Sequence, residues 1–206
     1  MNVLPCLGQG PINPAAVLQV NKYQPVNGLA MAWGPASRIA GPARAAMVLD
    51  SWEDALAATM HANFYPELFG GGIEQFGATD AINSALLQSQ EGFLRFFAMW
   101  PSAENASFTT LRARGAFLVS ASFTSGAAVA PILIVAGAGP ASVPPLRNCS
   151  VLDPWATATG PWRPLVVHDT SGARVDVSAD GAWPQIPVWR FAAQSGRSYS
   201  VFPPSM

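Results

Sequence analysis

The sequence predicts an α+β chain, helical in its first half and antiparallel β in its second, and three observations carry that prediction. Residues Ala43 to His61 repeat apolar side chains at helical spacing. Between Thr79 and Phe123 the apolar period changes from three-and-four to two. Beyond Ser102, short β-branched and aromatic runs follow one another with Pro or Gly between them. A change of period between two long segments marks a junction of domains, and the boundary is placed at residues 1–101 and 102–206.

Met1 to Tyr23 is rich in Pro, Gly and Asn and lacks periodicity, so it reads as an extended lead-in. An apolar run occupies Val26 to Trp33, and Pro35 is pre-set for an early helical position after Gly34. Gly41-Pro42 interrupts it. In the helix from Ala43 to His61, Ala46, Met47, Leu49, Trp52, Leu56 and Met60 define a broad apolar face, which Arg44, Asp50, Glu53 and Asp54 largely avoid. The next segment, His61 to Gly77, is read as a loop. Its Gly70-Gly71-Gly72 costs conformational entropy on ordering and suits backbone that bends sharply or approaches a ligand, so the loop is expected to line a site. The next helix carries Asp80 in its first turn, where a negative charge meets exposed amides. Ile82, Ala85, Leu86 and Leu87 form its apolar stripe, and Gly92 is expected to cap it after Glu91.

Phe93 to Trp100 is compact and aromatic, and Pro101 ends it. Leu111 to Phe123, with Phe117, Val119, Ala121 and Phe123 alternating against Leu118, Ser120 and Ser122, is predicted to pair with Val129 to Ala136 around Thr124-Ser125-Gly126. Arg112 and Arg114 then share one face at strand spacing. Further strands are expected at Cys149 to Leu152, Leu165 to His168, Arg174 to Ser178, Val188 to Phe191 and Tyr199 to Phe202, with a turn at Ala179-Asp180-Gly181. About seven short strands in roughly 100 residues, with no helix to support parallel pairing, indicate an antiparallel β-sandwich.

Composition narrows the function. With 206 residues, 50% hydrophobic and 11% charged, the chain can bury one good core or two small ones. A net charge of −1 offers neither nucleic acid nor an anionic membrane a basic patch. Residues 115–146 carry no charge, but the apolar run Ala127 to Ala136 is too short to span a bilayer and contains Pro131, so a buried strand is expected. Met1 to Pro14 lacks the basic start and apolar core of a signal peptide. Cys6 and Cys149 lie far apart, and His168 has no partners at ligand spacing, so neither a disulfide framework nor a metal site is expected. Asn105-Ala106-Ser107 and Asn148-Cys149-Ser150 are glycosylation sequons. Glu91, Glu104, Asp153, Asp169, Asp176 and Asp180 have turn-forming neighbours and are expected to be solvated. Trp155, Trp162, Trp183 and Trp189 suit either a small core or a sugar-stacking platform.

Three blocks carry a resemblance. Ala81-Ile82-Asn83-Ser84-Ala85-Leu86-Leu87-Gln88-Ser89-Gln90-Glu91-Gly92, then Phe97-Ala98-Met99-Trp100-Pro101, then Leu111-Arg112-Ala113-Arg114-Gly115-Ala116-Phe117-Leu118-Val119-Ser120 resemble, in that order, the C-terminal part of glycoside hydrolase family 95, the α-L-fucosidase-like enzymes. The resemblance is clearest over residues 61–126 and looser through Asp153-Pro154-Trp155 to the C-terminus. It implies that residues 1–101 are the last helices of an (α/α)6 barrel of the six-hairpin glycosidase type, and that the chain corresponds to about the last quarter of such an enzyme.

In that family the loop before the Gln-Ser block carries a His and then Asp-Gly-Asn-Phe-Gly, the Asp assisting the general base and the His touching the sugar. Counting back from Leu86 places Ile73 on the Asp, Glu74 on the Gly and Gln75 on the Asn, a departure that leaves Glu74 one residue from the expected acid. The resemblance thus implies Glu74 as a supporting catalytic carboxylate, and His61 and Gln75 as substrate-binding residues. Inversion needs an acid and a base on opposite faces of the sugar. The family's upstream acid and its catalytic Asn segment have no match here, so the chain alone is expected not to hydrolyse glycosides. Its implied partner is carbohydrate ending in fucose or galactose, with no cofactor or metal. The other reading is a non-catalytic carbohydrate-binding or accessory β domain.

Overall fold

A computed structural model of the chain describes residues 35–36, 38, 45–59, 73–139, 143–156, 161–182 and 185–204. It divides into two compact units, one of residues 1–85 and 98–101, the other of 86–97 and 102–206.

In the first unit, α1 spans Ala45–Thr59 and α2 runs Ile73–Leu86. The buried face of α1 is set by Ala45 and Val48, which are fully enclosed, whereas Ala46 is exposed along with Asp50, Glu53 and Asp54. The predicted stripe through Ala46 is therefore off by one position. The α2 helix begins at Ile73, so Glu74, Gln75 and Gly77 lie on helix instead of in a loop; Ile, Glu, Gln and Phe propagate a helix well enough to carry one glycine. Asp80 consequently sits in mid-helix, where it binds the Arg38 guanidinium through both oxygens at 2.9 and 2.8 Å. No described helix is long and apolar enough to cross a membrane.

The helix stops at Leu86, five residues before the predicted end at Glu91. Leu87–Gln88 (β1) turns back on Arg95–Phe96 (β2), and Gly92 takes φ +90° in the connection. Tertiary pairing overrides helix propensity here. Leu94 bridges Val151 in parallel, donating to Ser150 O at 2.8 Å and accepting from Leu152 N at 2.9 Å, and Phe97 N donates to Leu86 O.

The second unit is mostly antiparallel β. Its strands are β3 (Ala106–Ala113), β4 (Phe117–Thr124), β5 (Ala127–Ala136), β6 (Leu146–Leu152), β7 (Val166–Asp169), β8 (Arg174–Val175), β9 (Val177–Ala182), β10 (Pro187–Gln194) and β11 (Ser198–Phe202). They form a six-stranded sheet in the order β3-β4-β5-β11-β7-β8 and a three-stranded sheet in the order β6-β10-β9. Alternation puts Phe117, Val119 and Ala121 of β4, Ile132, Ile134 and Ala136 of β5, and Tyr199 and Val201 of β11 on one buried face. Cys149 and Val151 of β6 with Phe191 and Ala193 of β10 supply the other. The two faces meet: the rings of Phe191 and Tyr199 lie 5.2 Å apart, and the Tyr199 hydroxyl accepts from Gln194 N at 2.7 Å.

Several strand expectations change. Arg174 to Ser178 divides between β8 and β9, which belong to different sheets, and Ala127 to Ala136, expected to be buried, leaves Val129 and Leu133 exposed. Leu111 to Phe123 is two strands, because Gly115 and Ala116 take φ +81° and +56° and fold β3 onto β4. Arg114 therefore lies in a turn and shares no strand face with Arg112. Ala179-Asp180-Gly181 lies within β9 and not in a turn between strands: Ala179 pairs with Trp189, the register then shifts before Ala182 pairs with Pro187, Gly181 takes φ +107°, and Asp180 forms an ion pair with Arg190 at 3.0 Å. The predicted turn after Thr124 is present, with Ser125 and Gly126 at positive φ joining Thr124 to Ala127.

Candidate functional site

Of the residues singled out from the sequence, Glu74 and Gln75 fall in the first turn of α2, their side chains outside the described residues, and His61 lies wholly outside them. Among the described residues no cluster of His, Cys, Asp and Glu could hold a metal. His168 packs its ring against Phe202 at 5.7 Å. Burial pushes the Cys149 thiol well above its ordinary range, which Arg147 only partly opposes, so it is a protonated core group and not a nucleophile.

The sequence blocks of the first half of the β unit converge on one another. Gln88 Oε1 accepts from Arg95 Nη1 at 3.0 Å, and Glu91 stands 3.6 Å from the same guanidinium nitrogen. Burial pulls the Arg95 pKa down, partly offset by Glu91. Ser89 Oγ accepts from Arg114 N at 3.0 Å, while Arg114 Nη1 donates to Gln90 O at 3.1 Å. The β1–β2 hairpin is thus tied to the β3–β4 turn. Beside the tie lies a hollow of about 180 Å³ lined by residues including Ser89, Phe93, Arg114, Asn148 and Ser150. Phe117, also in its wall, is buried, and Arg147 covers its ring at 4.8 Å from the centroid.

A second hollow of about 180 Å³ opens where the chain leaves β6, lined by Asp153, Trp155, Ala156, Pro161, Trp162, Arg163 and Pro204. Its carboxylate is the least expected feature of the unit. Asp153 is only 4% exposed, contrary to its expected solvation. Its Oδ1 accepts from Trp155 N at 2.9 Å, an Asx-type turn, and its Oδ2 accepts from the Trp189 indole at 3.1 Å. Burial raises the Asp153 pKa above the usual carboxylate range, and hydrogen bonds from Trp155, Trp189 and Ala156 oppose that rise. Trp155 engages its own N–H on Ala128 O at 2.9 Å, so it offers the hollow its ring. Trp162 is 49% exposed. Asp-Pro-Trp after an apolar strand was the available signal for the turn, since Asp binds backbone amides two residues on; nothing in the order of residues pointed to Trp189 as its partner.

Compared with known protein families and with curated proteins, the chain matches no family model and no curated sequence.

Proposed function

We propose that this chain is the C-terminal portion of an α-L-fucosidase-like, inverting exo-glycoside hydrolase of the family 95 type, acting on terminal sugars of oligo- or polysaccharides. Residues 1–101 would then be the closing helices of an (α/α)6 barrel and residues 102–206 its C-terminal β-sandwich. One observation supports this reading above others. The blocks that carry the sequence resemblance, Gln88-Ser89 and Arg114-Gly115, are joined by the Arg114 N to Ser89 Oγ hydrogen bond, so residues remote in sequence serve one local arrangement.

Within this reading Glu74 supplies a supporting carboxylate, His61 and Gln75 contact sugar, and the general acid comes from upstream sequence. The purified chain is expected not to release aryl alcohol from aryl α-L-fucosides or α-L-galactosides; turnover by the chain alone would remove the requirement for an upstream acid. The decisive test is the transcript 5′ to the Met1 codon. An open frame continuing into helical hairpins with a Glu and an Asn is expected, and an in-frame stop directly upstream would overturn the assignment.

A second reading, a non-catalytic carbohydrate-binding or accessory β-sandwich module, is favoured by a separate observation: two indoles and a buried carboxylate share the hollow after β6.

A further inference from the structure

The hollow after β6 brings together three kinds of group that otherwise have no reason to meet on a sheet edge. Trp162 is the one aromatic among the large apolar side chains left exposed in the described residues. Trp162 follows Pro161, whose ring fixes its own φ, and Pro164 biases Arg163 away from helical backbone, so the run 161–164 does not continue as a helix. Trp155 adds a second ring whose polar atom is already engaged. The same hollow is lined by a buried carboxylate, Asp153, that takes hydrogen bonds from Trp155, Ala156 and Trp189. A carboxylate has about four acceptor positions, so one remains for a further donor. Arg163 at the rim supplies a guanidinium, which donates and never accepts.

Those groups select a ligand. Indole faces attract the C–H face of a ring with its own polar edge turned away. A carboxylate and a guanidinium lining one hollow offer an acceptor and a donor to a neutral polyhydroxy ligand. The volume of about 180 Å³ is below the roughly 300 Å³ at which drug-sized pockets begin, which limits the occupant to one ring. The hollow beside Ser89 and Arg114 has no indole among its lining residues, and the Phe117 ring in its wall is buried and covered by Arg147.

We propose that Asp153, Trp155, Trp162 and Arg163 form a binding subsite for a single neutral pyranose, with Trp162 stacking on the sugar ring and Asp153 and Arg163 holding neighbouring hydroxyls. The proposal rests on the reading of the chain as a glycan-handling protein, and it belongs to the β unit without need of the upstream sequence.

The test is titration of the full chain with methyl α-L-fucoside, methyl α-D-galactoside and methyl β-D-glucoside, followed by tryptophan fluorescence and calorimetry. Saturable binding of at least one glycoside is expected, weakened about tenfold or more in Trp162→Ala and largely restored in Trp162→Phe. Because Trp162 is half exposed, far-UV circular dichroism and the urea midpoint of Trp162→Ala should match the parent chain. Arg163→Gln is a second variant, expected to weaken binding without loss of the fluorescence change. Equal affinity in parent and Trp162→Ala would place any sugar elsewhere and overturn the subsite while leaving the glycosidase reading untouched. No saturable response to any of the three glycosides also overturns it. A negative transcript result with positive, Trp162-dependent binding would instead remove the glycosidase reading and keep the subsite.

Discussion

Trp189 donates its indole N–H to Asp153 Oδ2 across 3.1 Å, linking the centre strand β10 to the residue that follows its neighbour β6. Both side chains are buried, Trp189 at 7% exposure and Asp153 at 4%. Trp189→Phe keeps most of the ring volume but leaves a buried carboxylate oxygen without its donor. We expect a loss of about 1–3 kcal/mol, read as a lower urea midpoint at unchanged slope. An unchanged midpoint would mean that water replaces the indole.

Gln88 and Arg95 make a similar pair on the β1–β2 hairpin. Gln88→Leu removes the 3.0 Å acceptor of a guanidinium whose residue is 9% exposed, with Glu91 remaining at 3.6 Å. Hydrogen bonds to charged groups contribute about 1.5–3 kcal/mol, and a destabilisation in that range is expected. Glu91→Gln, at a more exposed site, should cost less than about 1 kcal/mol. Chemical denaturation of the two variants side by side checks the order.

Two carboxylates should give the acid limb of stability opposite contributions. Asp169 accepts from the Ser171 hydroxyl and amide at 2.6 and 2.8 Å, from Ala173 N at 3.1 Å and from Arg197 at 3.0 Å. These hold its pKa below the ordinary carboxylate range, Ser171 first. A depressed folded pKa means that the unfolded chain binds protons first as pH drops. Its stabilisation is present above the unfolded carboxylate value and lost as pH falls through the lower folded one. Asp153, with its raised pKa, runs the other way: its favourable contribution is full below the unfolded value and disappears as pH rises through the folded one. Urea midpoints measured against pH should lose part of their acid-side fall in Asp169→Asn, whereas Asp153→Asn should steepen it.

Gly115 and Gly92 both hold positive φ, at +81° and +90°, but only one is hemmed in. A Cβ on Gly115 would stand 2.9 Å from Phe117 Cε2, and a Cβ on Gly92 would meet nothing within 4 Å. Gly92→Ala should therefore cost only the left-handed backbone penalty, roughly 1–2 kcal/mol, and Gly115→Ala more than that. Thermal melts of the two variants would reverse this order only if Phe117 moves freely.

These residues also show where the order of amino acids was legible and where it was not. The alternation Phe117, Val119, Ala121 marked β4 because one face of the sheet is buried, and Thr124-Ser125-Gly126 marked its turn because the backbone there needs positive φ. Arg114-Gly115-Ala116 was read through as strand, since a turn with a single glycine between two apolar runs keeps the same period on either side. The end of α2 was misplaced because Leu87 and Gln88 have good helix propensity, and only pairing with Arg95–Phe96 and the Leu94 bridge to Val151 takes them out of the helix. Asp153 was read as solvated because its neighbours form a turn. What buries it is Trp189, a residue 36 positions later whose approach is a property of the sheet.

The strand order has a temporal consequence. Among the described residues, β11 joins β5 to β7 in the six-stranded sheet, and β10 joins β6 to β9 in the three-stranded sheet. Both keystones come late in the chain. While the ribosome is still producing residues before Pro187, the hairpin of β4 on β5 can close, but β6 and β9 have nothing to join them, and the apolar faces of Ile132, Ile134 and Val151 lack their cover. The two sheets can therefore be completed only after Ser198–Phe202 emerge, and until then those apolar faces are open to contact between nascent chains.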